Sequence, residues 1–238
     1  MGAAFCRFEE AEAGEFVMRV SAIEGHRLWA STYDSTPNPL VALERRMMRD
    51  ILSALQPSRV IDVGCGTGQW LLHFQRTGSQ VFGCDACREM LSEARKIHSL
   101  RGRLVLACAE NIPFRSAFAD LVLCLLSLAY FKDIDRVFRE FARVSKSGGV
   151  IAVCDLHPEA RIAGWKRSFR LGRQSYEIAY HYRTVQDVAR AAANGGLRSR
   201  LSQTIYFGMP ELPLFQRAGK EDRFWSVKSV PALFAGLW

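Results

Sequence analysis

Three glycines at alternating positions follow a short apolar run near residue 60. Residues 60–63 are predicted to form a buried strand, and Gly64, Gly66 and Gly68 separate it from a helix that begins at Gln69. Glycine has no Cβ, so such a turn can adopt positive φ and let a ligand lie directly against the main chain. The spacing predicts strand, tight turn and helix, with a nucleotide-like ligand at the turn.

The glycine spacing also separates two classes of cofactor. The dinucleotide fingerprint G-x-G-x-x-G would place its third glycine at position 69, where this chain has Gln69. The pattern G-x-G-x-G, preceded by Asp62 in the strand, resembles motif I of the class I S-adenosylmethionine-dependent methyltransferases. An NAD-dependent oxidoreductase is retained as an alternative.

An acidic residue, Asp85, ends a second predicted strand at residues 80–85. A carboxylate there can accept hydrogen bonds from two adjacent ribose hydroxyls. The following Cys-Arg-Glu-Met-Leu at residues 87–91 is similar to the S-x-x-M-L of the same family, which implies that Met90 packs on the adenine.

The third predicted strand, at residues 104–108, runs into a stretch similar to the family pattern G-D-A-E-x-L-P-F. Cys108 stands where that pattern has an aspartate. Adenine recognition is therefore expected from main-chain groups around Ala109 and Glu110.

Five such motifs follow one another between residues 25 and 155, ending with R-V-x-x-x-G-G at residues 143–149. The chain is identified as a member of the class I methyltransferases, in the ubiquinone/menaquinone-biosynthesis-like (type 11) group. The resemblance implies S-adenosyl-L-methionine as cofactor and S-adenosyl-L-homocysteine as product. The cofactor-binding residues it implies are Asp62, Gly64, Cys65, Gly66, Gly68, Asp85, Ala86, Met90, Ala109, Glu110 and Leu125.

Residues 16–57 carry apolar side chains at helical spacing and are predicted to be helical, with Pro57 ending the run. Within them, W-A-x-x-Y-D at residues 29–34 resembles the N-terminal lid of the same group. That resemblance makes Tyr33 a candidate contact to cofactor or substrate.

The stretch after the fourth predicted strand, residues 126–131, lacks the N/D-P-P-Y/F turn of amino methyltransferases that act on DNA bases or glutamine. No Pro-Cys pair supplies the nucleophile for cytosine C5 methylation. A flipped base is therefore a less favoured substrate than a small, anionic or aromatic metabolite methylated on O, N or C.

A hydroxyl or amine acceptor must lose a proton, and histidine has a suitable pKa for accepting it. His157 follows the fifth predicted strand, His181 is placed near the end of the next segment, and His26 lies before the lid motif. These three are candidate general bases, and His157, His181 and Tyr33 are taken as the catalytic set. A carboxylate or phenolate acceptor would need no base.

The net charge of +8 is concentrated in residues 159–200, which hold nine Lys and Arg against three Asp and Glu, interleaved with aromatic residues. Such a segment suits an anionic substrate, an acidic carrier protein, a membrane surface or RNA, or is simply a solvated face. Methylation of RNA or protein, and a non-catalytic cofactor-binding regulator, are therefore kept as alternatives to a small-molecule enzyme.

The expected fold is α/β, a doubly wound, mostly parallel sheet of seven strands with a Rossmann-like methyltransferase topology. We divide the chain into an N-terminal helical lid (1–57), a cofactor-binding core (58–156), a substrate-pocket insert (157–184) and a C-terminal helix with the last two strands (185–238). A helix is expected at residues 185–194, a strand near 197–207, and an antiparallel edge strand within 231–238.

No apolar run approaches the roughly 18 residues of a membrane span, and residues 1–15 lack a signal pattern. Seven cysteines without such a signal favour a reducing compartment, and their spacing does not complete a metal site. The expected location is cytoplasmic, with no metal cofactor and no nucleic-acid partner.

Overall fold

The computed structural model describes residues 16–238, so the part of the lid predicted at residues 1–15 lies outside the described residues. The strands are β1 (Val17–Val20), β2 (Arg59–Val63), β3 (Gln80–Asp85), β4 (Leu104–Leu106), β5 (Ala119–Leu125), β6 (Ser145–Leu156), β7 (Ser168–Leu171), β8 (Gln174–Ile178), β9 (Leu201–Ile205) and β10 (Leu233–Leu237). The helices are α1 (Ala22–Trp29), α2 (Pro39–Leu52), α3 (Gln69–Arg76), α4 (Arg88–Ala94), α5 (Ile134–Val144), α6 (Pro158–Ile162), α7 (Val185–Asn194), α8 (Leu212–Arg217) and α9 (Glu221–Val227). Short 3-10 helices lie at Ala30–Thr32, His98–Leu100, Leu128–Tyr130 and Met209–Glu211.

The central sheet has seven strands in the order β4-β3-β2-β5-β6-β10-β9. Strands β2 to β6 pair in parallel, and β10 is antiparallel to both of its neighbours. One hydrophobic core, which includes Leu43 and Leu71, packs on one face, and a second, which includes Phe138 and Phe141, packs on the other. The predicted doubly wound, mostly parallel sheet of seven strands is confirmed.

The sequence analysis expected the last strand at the edge of the sheet, but the structure places it inside the sheet. β10 inserts between β6 and β9, and β9 forms the edge. Leu233, Phe234 and Ala235 are all buried, whereas β9 alternates between exposed and half-buried positions. A strand that is apolar at every position is stabilised where both faces are covered, which explains the order.

The prediction of a continuous helical segment over residues 16–57 is wrong. The chain forms β1, then α1, and α2 begins only at Pro39, which occupies its first turn. A residue that precedes proline is pushed out of the helical region, and the Asn38 side chain accepts hydrogen bonds from the N–H groups of Leu40 and Val41 to cap α2.

β1 pairs in parallel with β8, which pairs with β7 in a separate three-stranded sheet. Two segments that the sequence analysis treated separately, residues 16–57 and 157–184, thus share one sheet. The predicted helix at residues 185–194 is confirmed as α7, capped by a reciprocal pair of hydrogen bonds between Thr184 and Asp187. The sequence analysis assigned no helices to α8 and α9.

Candidate active site

The glycine turn lies at the carboxyl end of β2. Gly64, Gly66 and Gly68 all have positive φ, of 75°, 52° and 80°. A Cβ on Gly64 would lie 2.6 Å from Ser127 Cβ, but a Cβ on Gly66 would meet no atom within 4 Å. Packing therefore requires glycine at position 64, whereas Gly66 presents bare main chain to open space.

Asp85 at the end of β3 is held by two main-chain donors. Its Oδ2 accepts from Gly66 N–H and its Oδ1 from Cys87 N–H, each at 2.8 Å. Because each carboxylate oxygen has two lone pairs, each keeps one acceptor position for a ligand hydroxyl. Burial raises the pKa of Asp85, while these two donors and nearby His26 act to lower it.

A cavity of about 270 Å³ opens between the ends of these strands and the N-terminal segment, and we call it the cofactor cavity. Among its lining residues are the predicted Tyr33, Gly64, Gly66, Asp85, Ala86, Met90, Ala109, Glu110 and Leu125, together with Ala22, Ile23, His26, Cys87, Ala107, Cys108, Leu126, Ser127, Tyr130, Phe131 and Lys132. Gly68 lies outside it, where a Cβ would meet Leu100 at 2.7 Å.

A second pocket, the side pocket, shares Tyr33, Gly64 and Gly66 with the cofactor cavity and adds Glu44, Arg45, Asp62 and Cys65. Burial raises the pKa of Glu44 to about 8, against a hydrogen bond from Trp70 Nε1 at 2.8 Å. Burial, and then the charge of Asp85, raise the pKa of Asp62 to about 8. Both carboxyl groups are therefore mostly protonated at neutral pH while the pocket is empty, and a cation that enters beside them would favour their ionised forms.

Sequence reasoning missed Glu44 and Arg45. An available signal was the position of Glu44 on the apolar face of α2, beside Leu43 and Met48, where an acidic residue is unexpected.

His26 on α1 is the histidine that lines the cofactor cavity. Its Nδ1 lies 2.7 Å from the carbonyl oxygen of Ala22, so Nδ1 carries the proton and Nε2 keeps a lone pair. The imidazole packs edge-on against Tyr130, with ring centroids 4.9 Å apart. Burial is the main cause that lowers the pKa of His26, which favours the neutral form.

The structure does not bring His157 and His181 to the cofactor cavity; both line a separate, smaller cleft. β6 continues to Leu156 and pairs there with β10, and His157 N–H donates to the carbonyl of Ala232 at 3.0 Å. This pairing carries His157 toward β10 and away from the glycine turn. Tyr33 does line the cavity, but burial raises its pKa, which favours the protonated phenol and makes it unsuited to act as a base.

An ion pair between Arg167 and Asp155 supports the wall of the cavity. Asp155 Oδ2 accepts from Ala129 N–H at 2.9 Å. Arg167 Nη1 donates to the carbonyl of Leu126 at 2.9 Å and to the hydroxyl of Tyr130 at 3.2 Å. The insert thereby fixes the segment that carries the cavity residues Leu126 and Tyr130.

The arrangement fits a nucleoside cofactor with a charged amino-acid end. Asp85 keeps acceptor positions for a diol, the face of Gly66 is open, and the side pocket holds two carboxyl groups beside Arg45. Across residues 16–238, no cluster of three or more His, Cys, Asp or Glu could hold a metal ion. In the same range no helix is both long and apolar enough to cross a membrane.

Comparison with known proteins agrees with this geometry. The family model described as a methyltransferase domain matches residues 61–153. A malonyl-(acyl-carrier protein) O-methyltransferase of Geobacter sulfurreducens is 30% identical over 224 residues, which cover 87% of this chain and 81% of that protein.

Two further matches are less complete or more distant. The biotin biosynthesis bifunctional protein BioHC of Cellvibrio japonicus is 30% identical over 129 residues, 54% of this chain but only 26% of that protein. The crystal structure of an S-adenosylmethionine dependent methyltransferase from Mesorhizobium loti superimposes with a TM-score of 0.60 at 19% identity, covering 79% of this chain and 95% of that one. The structural likeness supports the fold alone.

Proposed function

This chain belongs to the S-adenosylmethionine-dependent methyltransferases, and we propose that it methylates a hydroxyl or amine of a small anionic or aromatic molecule, with His26 as the proton acceptor. One observation carries the proposal. His26 lines the cofactor cavity with Nδ1 committed to Ala22 and Nε2 available, so the cavity contains a neutral base that an acceptor bound there could reach.

The residues that would hold the cofactor are assigned by their chemistry. Asp85 would accept the ribose hydroxyls, Met90 would pack on the adenine, and main-chain groups around Ala109 and Glu110 would hydrogen-bond its edge. In the side pocket, Asp62 and Glu44 would face the ammonium group and Arg45 the carboxylate. The cofactor would supply an electrophilic methyl group on its sulfonium sulfur. An aligned acceptor atom would bond to that methyl carbon as the S–CH3 bond breaks, and S-adenosylhomocysteine would leave as a neutral thioether.

The residues around the acceptor would orient it and exclude water. Tyr33 and Tyr130 supply aromatic faces at the end of the cavity, and Arg167 holds Tyr130 in place. We assign substrate-pocket roles to residues 16–57 and 157–184. These two segments pair through β1 and β8, and Tyr33 and Tyr130 pack against the same hydrophobic cluster as Ile178 of β8. Proton loss to His26 is required only for an acceptor that carries a proton.

A second candidate acceptor is the carboxylate of an acyl group carried by an acidic carrier protein. Two observations favour it. The relative from Geobacter sulfurreducens is named as an O-methyltransferase of malonyl-(acyl-carrier protein), and residues 159–200 hold nine basic residues but only three acidic ones. A carboxylate needs no base, so His26 would then only shape the pocket.

The two candidates are separated by an acceptor panel. The panel contains two groups of acceptors: phenols, hydroxy acids and amines in one, and acyl-thioester carboxylates in the other. Each acceptor is incubated with S-adenosylmethionine and the protein, and formation of S-adenosylhomocysteine is measured. The wild-type chain is compared with His26→Gln and with His98→Gln, a matched histidine in a 3-10 helix outside the cavity. Turnover of a hydroxyl or amine that falls only in His26→Gln supports the proposal. Turnover of carboxylates alone, unaffected in His26→Gln, would replace it with the second candidate.

A further inference from the structure

A second cleft lies behind the cofactor cavity, across the segment of residues 126–132. Leu128 and Ala129 of this segment line the cleft, whereas Tyr130 and Phe131 line the cavity. The cleft has about 20 Å³ of free volume, against about 270 Å³ in the cavity. It has room for one small group and not for a second whole substrate. Most of its polar lining comes from the insert, residues 157–184. We call it the arginine cleft after two of these residues, Arg161 and Arg183.

Arg161 supplies the first cation. Its guanidinium lies over the rings of Tyr180 and Tyr182, at 5.0 and 5.3 Å from their centroids. Among the ion pairs of residues 16–238, Arg161 has no carboxylate partner. Both rings contact the guanidinium of this exposed side chain, whose charge stays accessible to a ligand.

Arg183 supplies the second cation. Its Nη2 donates to the carbonyl of Lys132 at 2.9 Å and also to that of Phe131, while Nη1 is buried and has no hydrogen-bond partner. Burial lowers the pKa of Arg183, as expected for a cation without a full set of partners. An unpaired buried donor is costly, so a small movement of the side chain that uncovers Nη1 to a ligand in the cleft would be favourable.

The two histidines add uncharged donors. His157 is buried, and its Nδ1 accepts from Glu159 N–H at 3.3 Å, which leaves the proton on Nε2. The main-chain N–H of His181 donates to the carbonyl of Ala129 at 2.9 Å, which fixes the position of its backbone beside the cleft. The carboxylate among the lining residues, Asp155, already accepts from Arg167, Ala129 and Leu156.

We propose that the arginine cleft binds a single anionic group, a carboxylate or a phosphate. Arg161 and Arg183 carry two positive charges, and His157 offers an N–H donor. The lining acid Asp155 is already paired, while Asp187, Asp133 and Glu110 act on Arg183 from outside the lining. The fork of a guanidinium matches the two oxygens of a carboxylate or phosphate, which is why arginine dominates such sites. The histidines that sequence analysis placed in catalysis thus acquire a role in anion recognition.

The position of the cleft allows two sources for that anion. It is either a charged tail of the methyl acceptor that reaches past the 126–132 segment, or a free small anion. In both cases the ligand contacts Arg183, which already holds the carbonyl groups of Phe131 and Lys132 on the wall of the cavity.

The test is an NMR titration of the ¹⁵N-labelled 238-residue chain, following the ring nitrogens of its histidines. Inorganic phosphate and, separately, acetate are added at constant ionic strength set with chloride. We expect saturable shifts of His157 and His181 at millimolar ligand, with His73 and His98 unmoved. Arg161→Gln should weaken the apparent affinity about tenfold or more, because a charge-assisted hydrogen bond is lost. Arg170→Gln, an exposed arginine of β7, should leave it unchanged.

Shifts that do not saturate, or that are the same in Arg161→Gln as in the wild type, would overturn the proposal. This titration needs no methyl acceptor, so its failure is distinct from a failure of the proposed acceptor class. With an active acceptor in hand, phosphate that competes with it identifies the acceptor's own tail as the occupant. Phosphate that binds without competing identifies a free anion.

Discussion

The main-chain N–H of Gly66 donates a 2.8 Å hydrogen bond to Oδ2 of Asp85. This bond joins the turn after β2 to the end of β3, so the two motifs that identify the cofactor form one unit. The carboxylate is therefore oriented before any ligand arrives, and little ordering is required on binding.

Replacing Asp85 is expected to abolish tight cofactor binding. Asp85→Ala removes both acceptors for the ribose hydroxyls, and hydrogen bonds to a charged group contribute about 1.5–3 kcal/mol each, so the loss should be about 100-fold or more. Calorimetric titration with S-adenosylhomocysteine measures it, with NAD as a second ligand. Asp50→Asn, an exposed acid on α2, is the control. Unchanged affinity in Asp85→Ala would remove Asp85 from the site.

Substitutions at two glycines with positive φ can distinguish the effect of backbone strain from the effect of lost ligand contact. Gly66→Ala and Gly78→Ala each place a Cβ in open space at φ of 52° and 94°, and each should lose about 1–2 kcal/mol of stability from backbone strain. Of these two glycines, Gly66 lines the cofactor cavity and Gly78 does not. Gly66→Ala should therefore also weaken S-adenosylhomocysteine binding at least tenfold, measured by fluorescence titration, beyond any loss seen in Gly78→Ala. Equal losses in both variants would mean that strain alone matters.

The role of His26 predicts a pH dependence. Burial lowers its pKa, so with a hydroxyl acceptor kcat/KM should fall only at a pH below the ordinary histidine range, as Nε2 becomes protonated. His26→Gln should reduce kcat about 100-fold or more and remove this acidic limb. Rates measured from pH 5 to 9 check both effects. An unaltered acidic limb in His26→Gln would assign the titration to another group.

Glu44 predicts an unusual pH dependence of stability. Its folded-state pKa is raised to about 8, above the unfolded value near 4.5, so the folded chain binds more protons between these two values. The contribution is fully present below the unfolded pKa and is lost as the pH rises through the folded pKa.

Glu44→Gln should therefore gain about 4 kcal/mol over the wild type at pH 8, because the amide is always neutral and can still accept from Trp70 Nε1. Thermal unfolding without cofactor at pH 5 and pH 8 measures the difference. Glu159→Gln, an exposed acid on α6, should show no such gain. If Glu44→Gln and the wild type lose stability equally between these pH values, Glu44 is not the responsible group.

Much of the fold and of the cofactor region could be read from the sequence because it depends on local patterns. The turn at Gly64, Gly66 and Gly68 requires positive φ that glycine adopts readily, and strand periodicity places Asp85 at the end of β3. In a parallel sheet the carboxyl ends of neighbouring strands share one edge, so these residues converge without knowledge of distant contacts.

The tertiary structure alone decided which titratable groups meet. The sequence favoured His157 as the base over His26, but pairing of β6 with β10 places His157 in the arginine cleft, while α1 places His26 in the cofactor cavity. Glu44 acquires its raised pKa only because α2 buries it beside Trp70. Burial and strand pairing depend on contacts between segments that are far apart in the chain. Local residue patterns do not specify those contacts.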